Sequence, residues 1–212
     1  MIRVNKIINS SLVDGPGERT VVFFQGCSIR CPGCQNVALW DPNSGDLYDE
    51  QDLARKLAHL AQPHGNVTIS GGEPFNQVRG LAFLVRELKH LGVKNIQVYS
   101  GYTFEQLIAG TNGSYLWVRE VLDQIDVLVD GPFIQALDDP FITYRGSRNQ
   151  RPIDVQLTLK SAPGSPVVLN WDDEIQISQD GNIVLPIGLS KQFDSIGTIE
   201  RSRMCGQTTL VR

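Results

Sequence analysis

The chain has 212 residues, of which 41% are hydrophobic and 20% charged, and it carries a formal net charge of −4. That composition is ordinary for a folded globular protein and excludes a disordered or coiled-coil chain, while the acidic balance provides no basic field for a nucleic-acid backbone. No run approaches the roughly 18 apolar residues of a membrane span, and Met1–Asn5 leads into a strand-like segment without a signal-peptide pattern, so the expectation is a cytoplasmic protein with neither nucleic acid nor membrane as partner.

In chain order, the first buried strand is expected at Val21–Phe24, just before Gly26. From Asp49 to Ala61, Leu53, Leu57 and Leu60 recur at helical spacing, with Ala54, Ala58 and Ala61 beside them. A second strand, Val67–Ser70, runs into Gly71-Gly72. Leu81, Leu84, Val85, Leu88 and Leu91 then mark a helix, with Gly92 placed as its C-cap. Ile96–Tyr99 before Gly101 is the third strand. Short helices follow at Phe104–Ala109 and Tyr115–Gln124, separated by a turn at Gly110-Thr111-Asn112-Gly113, and Val127–Val129 before Gly131 is the fourth strand.

Strands alternating with helices predict an α/β fold of βαβ units, with a mainly parallel sheet and the glycine loops gathered at one end. About four such units are too few to close an eight-stranded barrel, so a partial, open β/α barrel is expected. Beyond Asp154 the texture changes to strand-like pieces at Val155–Leu159 and Glu174–Ser178, and a turn at Asp180-Gly181-Asn182 leads into Ile183-Val184-Leu185. The chain therefore divides into a core, residues 1–154, and a β-rich C-terminal extension, residues 155–212.

Three of the four cysteines, Cys27, Cys31 and Cys34, share one loop after the first strand with the spacing C-x3-C-x2-C. Clustered soft thiolates suit iron–sulfur or zinc, whereas a disulfide framework would spread them along the chain. Structural zinc usually takes four protein ligands from two pairs, and there is no second pair; His59, His64 and His90 fall in or near helices as surface residues. A cubane cluster held by three cysteines leaves one iron open to chelate a small molecule. The competing reading is a thiol redox pair, Cys31-Pro32-Gly33-Cys34, although such pairs normally open a helix in a different βαβ setting. One βα unit later, Gly71-Gly72-Glu73-Pro74 offers exposed backbone and a carboxylate that can pair with an ammonium group.

These two loops on a partial barrel resemble the radical S-adenosylmethionine superfamily and, within it, the group of activating proteins of anaerobic ribonucleoside-triphosphate reductase. The matching segments are Val13–Arg19, Gly26-Cys27, Cys31–Asn36, Trp40, Ser70–Pro74, Ser100–Tyr102, Asp126–Phe133 and Tyr144–Gln150. The resemblance implies that Cys27, Cys31 and Cys34 bind three irons of a 4Fe–4S cluster. S-adenosylmethionine would chelate the fourth through its amino and carboxylate groups. Gly71, Gly72 and Glu73 would face the methionine amino group, and Ser100 would lie near the ribose or methionine moiety. Gly33 and Gln35 would stand at the nucleotide, where an aromatic residue is common in place of Gln35.

The resemblance further implies reductive cleavage of S-adenosylmethionine to methionine and a 5′-deoxyadenosyl radical, with flavodoxin or ferredoxin as the electron donor. That radical would take hydrogen from a glycine of a partner, a glycyl radical enzyme such as anaerobic ribonucleoside-triphosphate reductase. No acid–base dyad is required, and an incompletely closed barrel would admit a partner loop. Arg145, Arg148 and Arg151 would help dock it, or serve only as solvated loop charges. Relatives of the short type end near Gln150, so residues 155–212 are a departure.

Two alternatives stand beside this reading. One is a radical enzyme acting on a small molecule, as in the carboxyguanine synthases, which typically continue the third cysteine with Asp-Thr where this chain has Gln35-Asn36. The other is a noncatalytic iron–sulfur or zinc scaffold, or an electron carrier. Cys205 is read as an inert thiol, and the Trp171–Glu174 stretch as a surface loop or a partner contact.

Overall fold

In the computed structural model, residues 1–110, 115–161 and 165–171 are described, together with two short strands at 176–177 and 183–184. The elements are β1 (Ile2–Ser11), β2 (Arg19–Phe24), β3 (Asp46–Tyr48), α1 (Glu50–Leu60), β4 (Asn66–Gly71), α2 (Val78–His90), β5 (Asn95–Tyr99), α3 (Phe104–Ile108), α4 (Tyr115–Gln124), β6 (Val127–Asp130), β7 (Arg151–Asp154), α5 (Val155–Lys160), β8 (Val167–Val168), β9 (Gln176–Ile177) and β10 (Ile183–Val184). The four expected strands and four expected helices are all present, each within a few residues of its reading. The turns proposed at 110–113 and 180–182, the loop at Asp172–Glu174, Leu185 and Cys205 lie wholly or partly outside the described residues.

Eight strands form one open sheet in the order β3-β1-β2-β4-β5-β6-β7-β8. Its four central strands are parallel, because each of β2, β4 and β5 is joined to the next by a helical crossover. The flanks are antiparallel: β1 pairs with β2 and β3, and β7 with β6 and β8. The expectation of a mainly parallel sheet thus holds for the centre and is corrected at both edges, where the outer strands pair antiparallel.

Local chemistry accounts for the helix boundaries. Asp49 caps α1, its side chain accepting the Gln51 and Asp52 N–H groups. At the end of α2, Gly92 takes a left-handed φ of +86° and donates to the Lys89 carbonyl, while Val93 donates to that of Leu88, a Schellman ending. The strand expected at Val155–Leu159 is instead α5. Its apolar and polar residues alternate as in a strand, but Asp154 caps a helix by accepting the Leu157 N–H (2.8 Å), and Val155 and Thr158 turn inward together. Among the described residues the extension is therefore mixed rather than purely β.

Alternation along the central strands separates two environments. Val22, Phe24, Val67, Ile69, Ile96, Val98 and Leu128 join the main core with α1, α2 and α4. Their neighbours Phe23, Ser70, Tyr99 and Val129 face the side away from α1, α2 and α4, and the register Phe23↔Ser70 and Tyr99↔Val129 sets them at matching levels. At the opposite end of that face the Val13–Arg19 loop forms a plug. Buried Arg19 donates to Thr68 Oγ1 (2.6 Å), the Val67 carbonyl (3.0 Å) and Asn95 Oδ1 (2.7 Å), and burial pushes its guanidinium down to about 10. Thr68 and Gln97 in turn donate to the Asp14 carbonyl at 2.9 and 3.1 Å.

Candidate functional site

The cysteine loop is an excursion closed at its base by backbone pairing: Gly26 N–H donates to the Leu39 carbonyl (2.8 Å) and Cys27 N–H to that of Trp40 (3.2 Å). Gln25, buried at the end of β2, braces the returning arm through the carbonyls of Ala38 (3.2 Å) and Asp41 (2.8 Å). The next loop is stitched to the same spot, since Gly72 N–H donates to the Phe24 carbonyl and Glu73 N–H to that of Gly26, both at 2.9 Å. Ser28 adds a side-chain tie to Asn76 (3.0 Å). The backbones approach so closely that a Cβ at Gly72 would fall inside the Gly26 carbonyl.

Together these loops wall a cavity of about 220 Å³ on the face away from α1, α2 and α4. Of the residues singled out from sequence, Cys27, Cys31, Cys34, Gln35, Gly71, Gly72, Glu73 and Ser100 all line it. Gly33 does not; its Cα faces the Gln135 side chain. Asp14, Phe23, Tyr99, Phe133 and Tyr144 also contribute, so the Asp14 turn reaches the cavity from the plug. The three arginines named in sequence have separate settings. Arg148 pairs with Asp139 (2.5 Å), Arg151 bridges Asp130 and Glu105, and Arg145 is the only Arg or Lys among the described lining residues.

All three loop cysteines are free thiols and partly buried. Burial pushes the Cys27 and Cys31 thiols up, opposed by the N–H groups of Arg30 and Ile29 at Cys27 and of Phe133 at Cys31. Asn36 N–H points at Cys34 Sγ (3.4 Å). Among the described residues no three His, Cys, Asp or Glu side chains converge on a single-ion site. An iron–sulfur cluster makes a different demand, taking each thiolate on its own iron, and three thiols spread along one cavity wall fit it.

Glu73 is the other charged landmark. It is fully buried, and burial raises its carboxyl to about 7 against the opposing hydrogen bonds from Phe75 N–H (2.9 Å), Gly101 N–H (2.8 Å) and the Ser100 hydroxyl (3.0 Å). The side chain therefore ties the β4 and β5 loops together. Ser100 is engaged on both sides, since its Oγ also accepts the Tyr102 N–H (3.1 Å).

Sequence reasoning did not single out Gln25, Tyr99 or Tyr144 individually. Gln25 had a signal, a polar residue ending an apolar strand directly before the cysteines. Tyr99 and Tyr144 had none, because their roles depend on contacts far apart in the chain.

Comparison with known proteins bears on this site. A sequence model of the 4Fe-4S single cluster domain family matches residues 13–153, spanning the cysteine loop, the Gly71–Glu73 loop and the strands that carry them. The chain belongs to this family. Similar proteins include the anaerobic ribonucleoside-triphosphate reductase-activating protein of Escherichia coli K12, 35% identical over 145 residues, or 66% of this chain and 90% of that protein. That of Pasteurella multocida is 36% identical over 148 residues, with 66% and 90% covered. The pyruvate formate-lyase-activating enzyme of Clostridium pasteurianum is 33% identical over 146 residues, covering 66% of this chain and 61% of that enzyme.

Proposed function

We propose that this protein is a radical S-adenosylmethionine activase of a glycyl radical enzyme, with an anaerobic ribonucleoside-triphosphate reductase as the favoured partner. The observation that carries the reading is the convergence of Cys27, Cys31 and Cys34 with Gly71, Gly72, Glu73 and Ser100 on one cavity. Its relatives, activating proteins of a ribonucleotide reductase and of pyruvate formate-lyase, support the reaction class. We take residues 1–154 as the catalytic core, its open sheet as a partial radical-enzyme barrel, and residues 155–212 as an extension. The cytoplasm, with flavodoxin or ferredoxin as one-electron donor, is the setting this chemistry calls for. No helix among the described residues is long and apolar enough to cross a membrane.

In this reading Cys27, Cys31 and Cys34 hold a 4Fe–4S cluster. When bound, the cluster supplies the electron that breaks the C5′–S bond of S-adenosylmethionine, leaving methionine and a 5′-deoxyadenosyl radical. The chain's own residues bind and orient. Gly71 and Gly72 let the ligand approach the backbone, and Gln35 stands by the nucleotide. Glu73 presents a carboxylate held by three donors, and an arriving ammonium group draws it into the charged form. Phe23, Tyr99, Phe133 and Tyr144 supply walls that limit water near the reacting atoms.

The test is anaerobic reconstitution with iron and sulfide, addition of dithionite and S-adenosylmethionine, and measurement of 5′-deoxyadenosine against Cys31→Ala. Product from the wild type alone supports the reading. A fully loaded, reduced protein that forms none refutes it and leaves an electron carrier.

A further inference from the structure

Resting on the cofactor reading of the cavity, we propose that Trp171 is a positioning residue for the site: from beyond the family-matching span, it holds in place the wall segment of Tyr144, Arg145 and Gly146. The family match ends at residue 153, so Trp171 lies outside it.

Tyr144 has a φ of +56°, a left-handed conformation that a bulky side chain rarely adopts. Such a conformation persists where the surroundings enforce it. Contacts act here on both its carbonyl and its ring. The Tyr144 carbonyl accepts the Tyr99 hydroxyl (2.7 Å), and its ring meets the Trp171 indole edge-on, with centroids 5.6 Å apart and planes at 85°. Trp171 is itself only 4% exposed and packs with Tyr144 and Val129 against Leu169. Leu169 N–H donates to the Pro152 carbonyl (2.7 Å), which ties the chain just ahead of the indole to β7.

Tyr144, Arg145 and Gly146 are consecutive lining residues of the cavity. Arg145 is anchored through its own backbone neighbourhood, its Nη1 donating to the Gln150 carbonyl (3.2 Å). Loss of the indole leaves Tyr144 with open space beside a strained backbone. Its relaxation carries Arg145, a cation of the wall, away from a ligand that bears a carboxylate. The amino-acid end of S-adenosylmethionine is such a ligand, so the extension sets cofactor affinity without touching the cofactor.

The experiment compares cluster-loaded wild type, Trp171→Ala and Trp171→Phe under anaerobic conditions. Equilibrium dialysis with S-adenosylmethionine is expected to give a dissociation constant about tenfold higher for Trp171→Ala. Trp171→Phe, which keeps an aromatic edge on Tyr144, is expected within about threefold of wild type. Trypsin under native conditions is expected to cut faster after Arg145 in Trp171→Ala, with cutting after Arg119 in α4 unchanged as the internal reference. Unchanged affinity in Trp171→Ala overturns the proposal, as does equal acceleration at Arg145 and Arg119, which signals general loosening. If the wild type does not bind S-adenosylmethionine, the cofactor reading fails by itself, and the trypsin comparison still decides whether Trp171 holds the segment.

Discussion

Replacing Gly72 by alanine tests the junction of the two functional loops. A Cβ there would collide with the Gly26 carbonyl, lying 2.7 Å from its carbon and 3.0 Å from the Leu39 carbonyl oxygen. All of these are backbone atoms, so no side chain can swing aside. Relief requires the loops to part, which breaks the Gly72-to-Phe24 and Glu73-to-Gly26 hydrogen bonds. Two such bonds are worth about 1 kcal/mol each, and overpacking adds about 1–3 kcal/mol, so the loss is about 3–5 kcal/mol. Gly92→Ala is the matched control. Gly92 has a φ of +86° but nothing within 4 Å of its would-be Cβ, so only left-handed strain of about 1 kcal/mol applies. Urea denaturation of the cluster-free proteins, followed by circular dichroism, gives both numbers. Iron retained after anaerobic reconstitution should also fall in Gly72→Ala and not in Gly92→Ala. A Gly72→Ala protein no less stable than Gly92→Ala refutes the close-approach reasoning.

Other outcomes follow from the buried charges. The Glu73 carboxyl rises from 4.5 to about 7 on folding, so its protonated form is favoured in the native state, and its contribution is lost as pH climbs through that window. Wild-type stability minus that of Glu73→Gln should fall by about 3 kcal/mol between pH 4.5 and 7, and a flat difference counts against a desolvated carboxylate. Arg151→Ala strands Asp130, which is 0% exposed, and should cost about 3 kcal/mol in urea denaturation. Arg148→Ala, at a side chain 70% exposed, should cost less than about 1 kcal/mol; equal costs would contradict the distinction between the two pairs. Since burial raises the Cys27 and Cys31 thiols and iron takes thiolates, cluster assembly should become more complete as pH rises from neutral toward the thiol range. An iron content that stays flat across that range would show that the thiols are already ionised and refute the expectation.

Much of the central scaffold was legible because its signals are local. Val67–Ser70 and Ile96–Tyr99 are short apolar runs bounded by turn residues, and Leu53, Leu57 and Leu60 repeat at the helical period. Val155–Leu159 misled for the same reason: alternation suggested a strand, and the cap from Asp154 outweighed it. The direction of β1 and β7 left no local trace, since pairing direction depends on how the connections lie across the sheet. The three arginines looked alike in sequence and differ in the fold: Arg151 meets the fully buried Asp130, Arg148 is a solvent-facing partner of Asp139, and Arg145 lines the cavity.

From its sequence alone, this protein has its strands, its main helices and a loop of three thiols in C-x3-C-x2-C spacing, all consequences of backbone periodicity and residue chemistry within a few positions. Tertiary structure decided which face of the sheet α1, α2 and α4 cover, that Gly71–Glu73 abuts the cysteine loop, and that the Glu73 carboxyl is desolvated. It also brought Trp171 against Tyr144. The physical reason is separation along the chain: parallel register gathers strand ends that lie a βα unit apart, and packing between such distant segments is absent from any local pattern.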